Sequence, residues 1–381
     1  DSVRAKKVRA EIPGALYESG KSQLSMRVPD DPEQRFPAVV HAADVLLAVT
    51  SEAARPLQIL AGPGSGKTRV LTSRVAHLVR DSAAPIAPER CVVVTFTNRA
   101  ANEMRARLET MIGADRTRRL VLGTFHAVCV RFLRRWGTRL GLDPRFTIAD
   151  TDDARRLLRD VDRDAPVDAT LAAISRAKAH GWTPDELRAS AQHAPGSPAH
   201  TEHLALCRTY AAYQQQLRTS HALDFDDLLL LGVRLFREHP ELTTHIDHVL
   251  VDEFQDTNAV QYELLRRLSR HVSVVGDPDQ SIYSWRHADM RHIERMHLDF
   301  PGLHRVLLEE NYRSTPQILE AALRVMQQDP HRIPKGLYTA LASGPPVSVV
   351  ACHDADDEAL FVAREIRQHA RTTPYAHMSV L

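Results

Sequence analysis

Residues 57–79, LQILAGPGSGKTRVLTSRVAHLV, pass from an apolar strand through a glycine-rich turn into an amphipathic helix, and this segment constrains the chain more than any other. Within it Ala61–Thr68 reads AGPGSGKT, the pattern of a phosphate-binding loop with Ala61 at a first position that is usually Gly. Gly62, Gly64 and Gly66 let backbone N–H groups turn inward around phosphate oxygens, where side chains would intrude; Pro63 and Ser65 fill the positions between them. The helix opening near Lys67 adds its positive end. Lys67 is placed to reach terminal phosphates, and the Thr68 hydroxyl to help hold Mg²⁺. The competing reading is a glycine turn that merely caps a helix. Against it, only six of the chain's 49 basic residues are lysine, so composition alone would put Arg at position 67.

Short apolar runs alternate with longer amphipathic stretches, the pattern of an α/β domain with a largely parallel sheet. Expected strands are Leu57–Ala61, Cys91–Thr95, Leu120–Thr124, His248–Asp252, Val272–Gly276, Arg305–Leu308 and Val347–Ala351. Expected helices are Lys67–Arg80, Asn98–Ile112, Ala127–Leu140, Ala259–Ser269 and Thr315–Gln327, with another through 355–370. Residues 1–36 are polar and aperiodic and read as a flexible leader. Between about 141 and 222 the alternation gives way to an Arg/Asp/Ala-rich stretch expected to be all helical, an insertion into the α/β domain. Prolines and glycines over 329–346 mark a connector.

HVLVDEFQDTN places Asp252 and Glu253 at the end of an apolar strand, and the C-terminal edge of a parallel sheet is where ligands bind. Asp252 suits Mg²⁺, and Glu253 suits activation of an attacking water. Alone, the same residues would read as an acidic loop with Asp256 or Asn258 capping the next helix. In DFDDLL, Asp224 fits an N-cap with Asp226 and Asp227 in the first turn, and these acids are given no catalytic role.

Basic and acidic residues nearly cancel, 49 against 48, for a net charge of +1, which excludes binding to nucleic acid by bulk charge but not a local basic groove. Four dispersed cysteines without metal spacing argue against a disulfide framework or zinc site and fit a reducing compartment. No apolar run approaches the roughly 18 residues of a membrane span, and the charged N-terminal residues are unlike a signal peptide. A soluble intracellular protein is expected, in a bacterial cytoplasm, a nucleus or a mitochondrion.

The motifs together resemble the UvrD/Rep/PcrA-like helicases, the 3′-to-5′ branch of superfamily 1. AGPGSGKT (61–68), TFTNRAANEM (95–104), GTFH (123–126), DFDDLL (224–229), VDEFQDTN (251–258), VVGDPDQSIYSWRHAD (274–289) and ENYRS (310–314) follow in the family's order. The resemblance implies a RecA-like P-loop NTPase domain over 37–140 plus 223–328, a helical insertion over 141–222, a connector over 329–346, and the start of a second RecA-like domain over 347–381. It also implies ATP and Mg²⁺ as ligands, and as partner single-stranded DNA or DNA with a 3′ single-stranded tail. No membrane is implied, and no protein partner is specified.

Residue by residue, the resemblance makes Gln280 the sensor of the γ-phosphate and attacking water, and an amide that donates and accepts at once suits that role. Arg313 matches the family's γ-phosphate arginine. Tyr312 and Arg69 match residues that sandwich the adenine. Tyr283, Trp285 and Phe96 match aromatics on which single-stranded bases stack, which suits a motor indifferent to sequence. Thr97, Asn98, Thr124 and His126 match contacts to the DNA backbone. Taken alone, Tyr283, Trp285 and Phe96 would read as core aromatics and His126 as a helix cap.

Two departures stand out. The Gln that recognises adenine in the family falls on Val45, which cannot make paired hydrogen bonds to a base, so weakened discrimination among nucleoside triphosphates is expected. The family's last two motifs do not occur before Leu381, so the chain is expected to be a fragment, a truncated form or a protein that lacks a complete motor, to hydrolyse ATP slowly and not to unwind processively. Three functions stay open on the residues: the ATP-binding half of a 3′-to-5′ helicase or translocase, the motor part of a helicase–nuclease subunit, and a non-motor DNA-binding regulator.

Overall fold

The computed structural model describes residues 43–190, 197–282, 289–329 and 332–380. A helix α1 over 43–50 leads into β1 (Leu57–Ala61), α2 (Lys67–Ala76), β2 (Cys91–Thr95), α3 (Asn98–Ile112), α4 (Ala114–Arg119), β3 (Val121–Thr124) and α5 (Phe125–Trp136). A helical stretch follows: α6 (Thr151–Val161), α7 (Val167–Ala179), α8 (Pro184–Ala189) and α9 (Pro198–Thr219), flanked by the two-residue strands β4 (Thr147–Ile148) and β5 (Ala222–Leu223). The chain then returns with α10 (Phe225–Glu238), β6 (His248–Val251), α11 (Ala259–Leu268), β7 (Val272–Gly276), α12 (Arg291–Asp299), β8 (His304–Leu308) and α13 (Pro316–Met326), and α14 (Ala355–His369) comes last.

Six strands form one parallel sheet in the order β3-β2-β6-β7-β1-β8. Helices cover both faces, because alternate residues of one strand enter different cores. Val92 and Val94 of β2 pack with Val128 and Phe132 of α5 and Leu228 of α10, while Cys91 and Val93 pack with Val70 and Leu71 of α2 and Met104 of α3. Strands buried on both faces read as continuous apolar runs rather than as alternation, which is why CVVVT and HVLV look uniformly hydrophobic. Among the described residues no helix is long and apolar enough to cross a membrane.

The helices between β4 and β5 have a core of their own, built from Leu158, Ile174, Leu187, Tyr210, Tyr213 and Leu217 with smaller neighbours. Thr147 pairs with Ala222 and Ile148 with Leu223, so a short parallel ladder ties the point where the chain enters this stretch to the point where it leaves. The stretch is therefore not wholly helical as expected; a two-residue ladder is too short to leave a period in the sequence. Lys178 of α7, fully buried, donates to Asp224 at 2.5 Å and lies 2.8 Å from Asp227. Tyr213 and Gln214 of α9 donate to the same two carboxylates. Asp224 also caps α10 by accepting from the Asp227 N–H, so these acids join the helical stretch to the sheet's covering helix.

Close approach of α5 and α10 depends on Gly232, where a Cβ would lie 2.8 Å from the Cys129 sulfur. Gly232→Val is expected to cost about 1–3 kcal/mol of stability by overpacking. A thermal unfolding midpoint unchanged or raised in that variant would show that the helices part freely.

One expected strand is absent. Residues 347–351 have no ladder partner among the described residues, and Val347, Val349 and Val350 are at least half exposed. An apolar β-branched run makes a strand only where a neighbour supplies the ladder and the burial. Elsewhere boundaries move by a few residues: α2 ends at Ala76 in a wider turn over His77–Asp81, and α5 begins at Phe125 because Thr124, not a later residue, caps it.

Candidate functional site

All six strands point the same way, so the turns that follow them gather along one edge of the sheet. The turn after β1 is the glycine loop, with Ala61 closing the strand against Leu308 of β8. Gly64 and Gly66 have φ of 67° and 84°, a left-handed backbone that favours glycine. Space enforces the choice too: a Cβ on Gly64 would lie 2.7 Å from Arg313 Cβ, and one on Gly62 would lie 2.3 Å from a Leu337 methyl. The Ser65 hydroxyl donates to the Gly62 carbonyl at 2.7 Å and closes the loop on itself.

Lys67, Thr68 and Arg69 form the first turn of α2. Lys67 is buried, with its ammonium 4.0 Å from an Asp277 oxygen beyond the end of β7. Thr68 Oγ1 donates to Asp252 Oδ2 at 3.3 Å, joining the loop to the end of β6. Asp252 is almost wholly buried, and burial together with the adjacent Glu253 charge pushes its carboxyl up to about 6, against the opposing pull of the Glu253 N–H, the Thr68 hydroxyl and Lys67.

Glu253 is one of two described non-glycine residues with positive φ, at 50°. A carboxylate-bearing residue held in the left-handed region costs of order 1–3 kcal/mol and persists only where its surroundings fix it. Gln255 fixes it: its Nε2 donates to Glu253 Oε2 at 2.9 Å, while its Oε1 accepts the Asp277 N–H at 2.9 Å. Gln280 lies in the short turn Pro278–Gln280 and donates to Asp277 Oδ2 at 2.6 Å.

From the other side, the turn after β8 is laced to the glycine loop. Asn311 Nδ2 donates to the Pro63 carbonyl at 2.7 Å, and the Tyr312 N–H donates to the Gly64 carbonyl at 3.0 Å. Asn311 Oδ1 accepts the Arg313 and Ser314 N–H groups, which sets the course of the backbone that carries Tyr312 and Arg313. The Tyr312 hydroxyl donates to Glu310 at 2.9 Å; Arg69 and Arg313 are exposed at the mouth.

Phe96, Thr97 and Asn98 follow β2, and Thr124 ends β3 with His126 just beyond it, on the same sheet edge but farther along it. Thr97 and Thr124 each cap a helix, accepting from the N–H groups of Ala100 and Ala127. His126 meets the exposed Phe225 ring edge-on at 5.9 Å, and burial holds its imidazole below the usual range. Phe96 is half-buried and belongs to none of the core clusters. Tyr283 and Trp285 lie outside the described residues.

The structure thus brings Ala61–Thr68, Asp252, Glu253, Gln280 and Arg313 around one loop, and adds four residues that sequence reasoning passed over: Gln255, Asp277, Asn311 and Lys335. The first three sit inside motifs already quoted. Lys335 lies in the connector, and its sole signal is that it is a lysine in an arginine-rich chain.

The description "UvrD/REP helicase N-terminal domain" matches residues 43–301, and "UvrD-like helicase C-terminal domain" matches 306–381. Among curated proteins, the ATP-dependent DNA helicase PcrA of Staphylococcus epidermidis is 39% identical over 350 residues, 87% of this chain and 47% of that protein. PcrA of Leuconostoc citreum is 41% identical over 336 residues, 84% of this chain and 44% of the relative. PcrA of Staphylococcus aureus is 39% identical over 341 residues, 86% and 45% respectively. The chain spans about half the length of the curated relatives it matches.

Proposed function

Since the chain belongs to the UvrD/REP helicase family, whose N-terminal domain it matches over 43–301, we propose that it binds ATP with Mg²⁺ and hydrolyses it as the ATP-binding part of a 3′-to-5′ DNA helicase or translocase driven by single-stranded DNA. The observation that carries this reading is the convergence of β1, β6 and β7 on one loop: Lys67, Thr68, Asp252 and Glu253 meet there although about 185 residues separate the two pairs in the chain.

In this reading the loop N–H groups and Lys67 hold the phosphates. Thr68 and Asp252 fit Mg²⁺, a hard cation that is held by one or two protein oxygens together with phosphate oxygens and water; it would neutralise charge on the phosphates. Glu253, aimed by Gln255, takes the proton of the water that attacks the γ-phosphate. Gln280 orients that water, and the Arg313 guanidinium neutralises the charge that develops. Tyr312 and Arg69 flank the adenine; Val45 is packed into the core, so stacking rather than an amide at that position would hold the base.

Phe96, with Tyr283 and Trp285, supplies stacking surface, and Thr97, Asn98, Thr124 and His126 meet the DNA backbone. The caps are compatible with this, because a threonine hydroxyl that accepts from an N–H keeps its own proton to donate to a phosphate oxygen. A neutral His126 would act as a hydrogen-bonding group rather than as a charge. The first RecA-like unit is assigned to 37–140 plus 223–328, the insertion to 141–222, the connector to 329–346 and the start of the second unit to 347–381.

ATP turnover with and without an oligo-dT strand tests the proposal. Stimulation of at least about tenfold is expected for two coupled sites. A rate indifferent to the strand would overturn the coupling between ATP and DNA.

A further inference from the structure

We propose that Lys335 is a positioning residue for the phosphate site: it neutralises Asp277 so that Lys67 is free to turn to the nucleotide. The inference rests on the reading of the glycine loop as an ATP site.

Asp277 is fully buried at the end of β7, between two ammonium groups. Lys335, itself buried, donates to Asp277 Oδ1 and stands 3.1 Å from Asp279 Oδ2. Lys67 approaches the other oxygen of Asp277 only to 4.0 Å, outside hydrogen-bond distance. Arg332 completes the group, its Nε donating to Asp279 at 3.0 Å. Two carboxylates, Asp277 and Asp279, therefore face two cations, Lys335 and Arg332, and the four sum to zero without Lys67.

The consequence follows from the cost of an unpaired buried charge. A carboxylate with no exposed surface must keep a cation or take up a proton. If Lys67 were the sole partner of Asp277, each molecule of ATP would have to pull it away and leave the carboxylate orphaned. Lys335 removes that penalty: it stays on Asp277, while the loose 4.0 Å contact of Lys67 breaks at little cost. Asp277 in turn keeps the Gln280 amide at 2.6 Å, so the same balance holds Gln280 in place while Lys67 moves. The lysine sits on a segment fastened at the loop mouth, where Leu337 covers Gly62 and Tyr338 exchanges backbone hydrogen bonds with Glu309 and Asn311.

Binding of Mg²⁺ plus β,γ-imido-ATP, a non-hydrolysable analogue, to the full chain tests the idea in the absence of DNA. Wild-type protein should bind and Lys67→Ala should not; a wild type that fails to bind would refute the nucleotide reading itself. Given binding, Lys335→Met should weaken it by about tenfold or more, because Asp277 then captures Lys67. Adding Asp277→Asn to Lys335→Met should recover most of that loss, since residue 277 then carries no charge to hold Lys67 and Asp279 keeps Arg332. A merely structural lysine predicts otherwise, with the two losses adding. An affinity within twofold of wild type in Lys335→Met, or additive losses in the double variant, would overturn the proposal. Should Lys335→Met not fold, the double variant decides: a folded, nucleotide-binding Lys335→Met/Asp277→Asn protein supports the charge balance, and an unfolded one rejects it.

Discussion

Lys67→Ala is expected to lower ATP turnover by about 10²–10³-fold, the loss typical of removing one preorganised charge from a transferring group. The size follows from where the ammonium stands. It is buried at the start of α2, beside a loop whose N–H groups and helix end already favour anions, so little solvent screens it. The fold should survive the change, because Asp277 keeps Lys335 when Lys67 is gone. An unfolding midpoint close to wild type with turnover lost is therefore the expected pair of results. Turnover within threefold of wild type would mean that the phosphates bind elsewhere.

Glu253→Gln should separate binding from chemistry. General-base contributions run to about 10²–10⁴-fold, and a loss of that size is expected in single-turnover hydrolysis. Nucleotide affinity should stay within a few-fold, because the amide matches the carboxylate in shape and can still accept from Gln255 Nε2 through its oxygen. The left-handed backbone at 253 belongs to the turn rather than to the charge and should persist. The outcome would be a protein that holds ATP without consuming it. Loss of binding in this variant would instead assign the side chain to the architecture of the turn, and near-normal turnover would move the base to another residue.

Much of this is legible in the amino-acid sequence alone. The strands β1, β2 and β7 stand where their apolar runs put them, since a doubly covered parallel strand must be apolar throughout. The glycine loop and the acidic pair were legible because each is a compact string in the chain. Asn311, Gln255 and Lys335 act differently. Asn311 matters through the Pro63 carbonyl, 248 positions away, and Lys335 through Asp277, 58 positions away; no local pattern carries such partnerships. The run at 347–351 failed for the complementary reason, since its residues suit a strand but have no ladder partner among the described residues. The sequence offers Asp256 or Asn258 as the cap of α11, and Asn258 is the cap, closing a reciprocal pair of bonds with Gln261.

The place of β1 in the sheet bears on how the chain reaches this fold. It lies between β7 and β8, pairing Leu57 with Ser273 on one side and with His304 on the other. Gln58, on the same strand, accepts from Arg305, 247 positions later. At roughly 5–20 residues per second on a ribosome, the glycine loop is made some tens of seconds before either of its neighbouring strands exists. During that interval β1 exposes two bare edges of an apolar strand, the kind of surface that aggregates or recruits a chaperone. Nucleotide binding by the loop would thus be a late event in the life of a nascent chain, and truncations that end before β8 should leave the loop present but without its frame.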